Sequence, residues 1–206
     1  MNKKQQVLTK IFSICQQRDN YIFDNHLVKD ISKQVGFSNP FDATKIDDKR
    51  KLPDILLKND YAVIHLGSGK HQFIKGIDKL YHDFEPIQNV IRWEYQKSLL
   101  NEFNSSESNI LSVANNQRIL HDFLFEQDTD FQNIDISLRP KTYFPHRTKT
   151  SFTYCFGEMS EISLENIQIE IDLTIEFKGN IGIFEGKNGN PSNFSIYQLY
   201  HPFLYY

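Results

Sequence analysis

A chain of 206 residues can form one large domain or two small ones, and 39% hydrophobic content with 17 Phe and 10 Tyr is enough for a packed core. No apolar run approaches the roughly 18 residues that a membrane-spanning helix needs. Met1-Asn-Lys-Lys is not followed by the apolar stretch of a secretion signal, so a cytoplasmic protein without a membrane segment is expected. Cys15 and Cys155 are too far apart for a metal motif or a disulfide framework, and the seven His residues show no zinc spacing. The net charge of −3 is unevenly spread. Residues 1–84 carry 14 Lys/Arg against 10 Asp/Glu, a balance of +4, and residues 85–206 carry 9 against 16, a balance of −7. A basic front and an acidic back suit a DNA-contacting module joined to a metal-binding one.

In chain order, residues 3–17 read as a helix with Val7, Leu8, Ile11, Phe12 and Cys15 on one face. Asp24 is placed to cap a second helix that carries Leu27, Ile31 and Val35 and ends at Gly36. Asn39-Pro40 starts a turn, and a third, charged helix is expected from about Asp42 to Lys51, stopped near Pro53. Residues 61–66 and 71–75 alternate as two strands around a Gly67-Ser-Gly69 turn. Helices followed by a hairpin resemble the winged-helix class. That resemblance makes the stretch with Lys45, Lys49, Arg50 and Lys51 the recognition helix, and the tip with Ser68, Lys70 and His71 the wing. Gly67-Ser-Gly-Lys70 lacks the spacing of a phosphate-binding P-loop.

Pro86 marks a boundary between domains of residues 1–85 and 86–206. A helix is expected from Ile87 to about Phe103, and another opens at Asn104-Ser-Ser-Glu107 and runs to about Phe125, with Asn104 and Glu107 at capping-pair spacing. Residues 126–138 read as an acidic loop. The segment 139–149 holds Arg139, Lys141, Arg147 and Lys149 with no acid, and its prolines make it a loop that could follow phosphates, with Tyr143 or Phe144 stacking on a base. Residues 151–157 read as a strand.

From Ile167 to Phe177 apolar residues alternate with Gln168, Glu170, Asp172, Thr174 and Glu176. Turn chemistry follows at Lys178-Gly179-Asn180, then a strand from about Ile181 to Lys187 whose Ile-Gly-Ile-Phe reads as buried and central. Two turns are possible. A Lys178-Gly179 loop sets Asp172 opposite Glu185, and a Gly179-Asn180 loop sets Asp172 opposite Lys187. Both put Asp172, Glu185 and Lys187 on one face, where opposed Cβ atoms lie about 4.5–5.5 Å apart. Two carboxylates at that spacing can share one Mg2+, with oxygen ligands at about 2.1 Å. Asn188-Gly-Asn-Pro191 is a turn, and Ser192 or Asn193 is expected to cap a helix with Phe194, Tyr197 and Gln198.

Over about residues 165–200 the chain resembles the PD-(D/E)xK nuclease superfamily, and within it the type II restriction endonucleases. Asp172, Glu185 and Lys187 carry the resemblance, with Ile171 standing where proline often precedes the acid. The resemblance implies an α+β or α/β chain in which a winged-helix-like domain precedes a mixed sheet flanked by helices. It also implies a homodimer that cuts double-stranded DNA with Mg2+. Asp172 and Glu185 would hold the metal, Lys187 would be the catalytic lysine, and Glu107 (or else Glu94) and Gln198 would support the site. Superfamily cores usually continue beyond a point equivalent to Tyr206, so a shortened, inactive DNA-binding relative is the alternative expectation.

Overall fold

The computed structural model describes residues 1–90, 98–99, 106–125, 139–143, 146–157 and 160–206. It is a mixed α+β structure of small sheets and helices. The chain forms two compact units interleaved in sequence, one of residues 1–84, 149–168 and 192–197, the other of residues 85–148, 169–191 and 198–206. None of the helices among the described residues is long and apolar enough to cross a membrane.

In the first unit, helix α1 (Lys3–Arg18) starts at an Asn2–Gln5 capping box and buries Val7, Leu8, Ile11, Phe12 and Cys15, the expected face. A short strand β1 (Ile22–Asp24) follows, with no signal in three residues of sequence. Asp24 then caps α2 (Asn25–Val35) by accepting the Leu27 N–H at 2.9 Å, and Gly36 ends it at φ 69°. The continuous helix expected over 42–51 does not form. Pro40–Asp42 and Lys49–Lys51 are single 3-10 turns, and the next α-helix, α3 (Asp54–Lys58), comes only after Pro53. Asp48 explains the break, because its carboxylate takes the Arg50 N–H at 2.9 Å and gives the backbone an alternative to the helix. Arg50 also donates its guanidinium to Asp48, which holds that carboxyl down to about 2.

Strands β2 (Tyr61–Gly67) and β3 (Lys70–Lys75) pair antiparallel, and β1 adds to β3 to give the order β1-β3-β2. Helix α4 (Ile77–Leu80) and strand β4 (Tyr81–Asp83) complete the run. At the hairpin tip Gly67 has φ +84°, and a Cβ built there would lie 1.8 Å from the Glu165 carbonyl oxygen. Gly67→Ala therefore meets both a left-handed backbone and main-chain overlap, and we expect it to cost about 2 kcal/mol or more. A urea midpoint matching that of the parent chain would contradict this.

Helices α5 (Glu107–Asn116) and α6 (Ile119–Phe125) open the second unit, split at Arg118, which has φ 61°. Strand β5 (Lys141–Tyr143) stands where a loop was expected. Strand β6 (His146–Phe156) pairs with β7 (Ser160–Ile171) in a two-stranded ribbon, of which residues 149–168 belong to the first unit. The alternating run from 167 to 177 is not one strand, because β7 stops at Ile171, Asp172 is a bend, and β8 (Leu173–Phe177) starts anew in another sheet. With β9 (Asn180–Phe184) that sheet has the order β5-β8-β9, antiparallel throughout. Among the described residues β8 is thus the central strand and β9 stands at the edge, with Ile181 49% exposed. Helices α5 and α6 cover the sheet through a core of Leu111, Leu173 and Ile175, with Leu120, Leu124 and Phe184 packed around it.

Residues 193–195, expected to begin a helix, form strand β10 (Asn193–Ser195), which pairs with β4 in the first unit. The last helix, α7 (Tyr197–Tyr205), starts after it and carries Gln198. The Asn193 carboxamide explains this, since it is held by the Lys49 N–H and the Asp48 carboxylate and is not available as a helix cap. The expected helix from 87 lies mostly outside the described residues, as do Glu94, Asn104, Phe144 and the acidic segment 126–138. Residues 87–90 are not helical.

Candidate functional site

The β8–β9 turn sets the geometry. Phe177 pairs with Asn180, so the loop is Lys178-Gly179, with φ of 50° and 78°. Positive φ at both central residues is the tight hairpin turn whose twist matches the flanking strands. Leu173 then pairs with Phe184, the last pair of the ladder, and Asp172 and Glu185 are the next residues on either side of it. Of the two arrangements the sequence allows, this one forms. Glu185 and Lys187 are not on the strand, however, because β9 ends at Phe184 and they follow in extended chain just beyond the ladder.

Freed from sheet pairing, the Gly186 N–H donates to Asp172 Oδ2 at 2.9 Å. Lys187 Nζ donates to Glu185 Oε1 at 2.6 Å, with only 20% and 15% of the two side chains exposed. Gln198 Nε2 donates to the same Glu185 oxygen at 2.8 Å. Glu107 is the first residue of α5 and the cap is Ser106, which accepts the Asn109 N–H at 3.2 Å, so Glu107 has no capping duty. Its Oε1 instead accepts the Asn188 N–H at 3.1 Å. Three of the five residues marked from sequence, Asp172, Glu107 and Gln198, are thus joined by direct bonds to the segment 185–188, and Glu185 and Lys187 belong to it. Sequence reading missed Gly186 and Asn188, which act through main-chain N–H groups. The one available sign was glycine between Glu185 and Lys187.

Burial pushes the Glu185 carboxyl up to about 7. The Lys187 hydrogen bond and charge pull it down, and the negative charges of Asp172 and Glu107 push it up again. The repulsion from Asp172 and Glu107 means all three carboxyls act in one electrostatic neighbourhood. The groups present suit a hard divalent cation. Among the described residues no protein donor reaches Glu185 Oε2, and the buried Gln198 Oε1 has no hydrogen-bond partner although its own amide nitrogen is fixed on Glu185. Oxygen donors of this kind are what Mg2+ takes, usually from one or two carboxylates with water completing the set. Three or more His, Cys, Asp or Glu side chains close enough to hold a metal are not found among the described residues. Asp172 and Glu185 are the two carboxylates that the Gly186 N–H and the Lys187 ammonium tie to this segment.

The residues expected to meet DNA are dispersed. In the first unit His71 is 5% exposed and bonded to His65 Nδ1 at 3.1 Å and Asn25 Oδ1 at 2.8 Å, so it is not at the surface of the hairpin tip. Ser68 Oγ donates to the Glu165 carbonyl at 3.4 Å. Lys49 is paired with Asp83 at 2.6 Å and Arg50 with Asp48. Lys45, Lys51 and Lys70 are exposed. In the second unit Lys141 pairs with Glu176 at 3.3 Å and Arg147 with Glu170 at 2.6 Å, both from strands, while Arg139 and Tyr143 are exposed.

Residues 76–206 match the family described as Domain of unknown function (DUF6997), and the chain belongs to it; all the site residues fall within the match. Residues 5–73 match a second family, Domain of unknown function (DUF6996). No curated protein and no solved structure matches the chain.

Proposed function

We propose that this DUF6997 member is a Mg2+-dependent endonuclease of double-stranded DNA, resembling the type II restriction enzymes. The observation that carries the reading is the convergence of Asp172, Glu185, Lys187, Gln198 and Glu107 around residues 185–188 in one compact unit. Asp172 and Glu185 would hold the cation, which supplies Lewis acidity to a phosphodiester and to water. The Lys187 side chain, held on Glu185, would stabilise the negative charge that builds on a phosphate reacting there. Gln198 and Lys187 hold Glu185 through one oxygen, so its other oxygen keeps a fixed direction. Glu107 adds negative charge to the same neighbourhood and raises its attraction for a cation.

In the first unit the order helix, strand, helix, helix, strand, strand, with sheet order β1-β3-β2, resembles that of a winged helix, which supports a DNA-binding role for residues 1–85. In that frame α3 takes the place of the recognition helix in place of 42–51. It is only five residues long, so contacts to DNA fall more on Lys45, Lys51 and Lys70 around it. The reading implies a cytoplasmic protein that works as a homodimer.

A supercoiled plasmid incubated with the full chain should be cut with Mg2+ and spared with EDTA. A second reading, a DNA-binding protein with an inactive nuclease-like domain, is favoured by the lack of any third metal-ligating side chain among the described residues. Retarded but intact plasmid in Mg2+ would select it over the first.

A further inference from the structure

Gly186 stands between the two residues of the Glu-x-Lys triplet, and two observations single it out. Its N–H donates to Asp172 Oδ2 at 2.9 Å. A Cβ built on it would lie 3.1 Å from the Glu107 carbonyl oxygen, 3.2 Å from the Glu107 Cβ and 3.4 Å from its carbonyl carbon. The first turn of α5 therefore rests directly on the bare Cα of Gly186. Two residues on, the Asn188 N–H donates to the Glu107 carboxylate at 3.1 Å. Residues 186–188 thus grip Glu107 at both its main chain and its carboxylate, while the same segment orients Asp172.

We propose that Gly186 is a positioning residue that brings Glu107 into the acid cluster of Asp172 and Glu185, and that the missing side chain at this position sets the cluster's affinity for a divalent cation. This rests on the nuclease reading only in taking the cluster to be a cation site. A Cβ at Gly186 would need the Glu107 atoms against it to give way by a few tenths of an ångström. The backbone here lies outside the left-handed region, so alanine is free of conformational strain and isolates the steric effect.

The test is calorimetric titration of the full chain with Mn2+ in the absence of DNA, alongside plasmid cleavage. Gly186→Ala should weaken Mn2+ binding about 3- to 10-fold, and Glu107→Gln by a similar factor. The two act through one contact, so the double variant should lose little more than Glu107→Gln alone. A merely structural role would lower thermal stability and multiply the two losses. Melting curves for each variant separate the cases, and Glu107→Gln, a substitution at a partly exposed helix start, keeps the test alive if Gly186→Ala folds poorly. Unchanged Mn2+ affinity in Gly186→Ala, or multiplied losses, would overturn the proposal while leaving cleavage untouched. Mn2+ binding with the expected losses but without plasmid cleavage would uphold it and sink the nuclease reading. A parent chain that binds no Mn2+ would end both.

Discussion

Lys187→Ala should retain plasmid binding and lose about 10²–10³-fold in cleavage rate, the usual cost of removing one preorganised group that stabilises charge in a transition state. The reason lies in how the lysine is held. Its stem is four-fifths buried and its ammonium is fixed on Glu185 at 2.6 Å, so it is not a mobile surface charge. Removing it also deprives the buried Glu185 of the pairing that lowers its carboxyl. Asp172→Ala should abolish cutting more completely, because one of two cation-holding groups is gone. Lys187→Arg restores charge but not the compact ammonium, and recovery of no more than a small part of the rate is expected. Wild-type cleavage by Lys187→Ala would show that the hairpin end is not where the chemistry occurs.

The second large effect is on stability against pH without divalent cation. The Glu185 carboxyl sits at about 7 in the folded chain against an ordinary 4.5, with burial as the first cause. A carboxyl whose folded value is raised contributes stability that is full below about pH 4.5 and is lost as pH rises through 7. In EDTA the folded chain should therefore weaken between pH 5 and 8 through this group. Glu185→Gln removes the dependence, so the variant should match the parent near pH 4.5 and exceed it at pH 8 by up to about 3 kcal/mol. His71 and His201 run the other way. Burial lowers each to about 4, so the stability they contribute is present above about 6.5 and lost as pH falls toward 4. The difference between parent and Glu185→Gln cancels both histidines. Melting temperatures with EDTA from pH 4.5 to 8 measure it, and parallel curves for the two proteins would refute the burial argument. Added Mg2+ at pH 8 should then raise the parent's melting temperature and leave the variant's unchanged.

Where a local rule acts alone, sequence was a sufficient guide. The apolar face of α1, the Asp24 cap, the Gly36 stop and the β2–β3 hairpin each rest on neighbours within a few residues. Parity along two strands was the reason for grouping Asp172, Glu185 and Lys187, but Asp172 is a bend and Glu185 and Lys187 follow the strand, so hydrogen bonds and not the pleat bring them together. Which turn formed was not legible, because Lys178-Gly179 and Gly179-Asn180 both accept positive φ. The rest depended on distant partners. Asn193 looked like a helix cap, but Lys49 and Asp48 claim its carboxamide from 144 and 145 residues away. The prolines around 140 suggested a loop, but Lys141–Tyr143 pairs with β8, where Glu176 meets Lys141. Ile-Gly-Ile-Phe looked central, yet among the described residues it stands at the edge of its sheet, because strand order is a property of the sheet and not of one strand's composition.

The bend at Asp172 makes chain length, more than side-chain identity, the fragile quantity in this region. The two-residue loop fixes how β8 is counted back from the turn, so one residue inserted between Asp172 and Leu173 would put a different residue next to the ladder and draw the acid away from the Gly186 N–H. Two inserted residues add up to about 6.6 Å of extended chain between the ladder and the carboxylate, more than a hydrogen bond to Gly186 can span. Conservative replacements in Leu173–Phe177 should be tolerated far more readily than any change in spacing between that bend and Lys178.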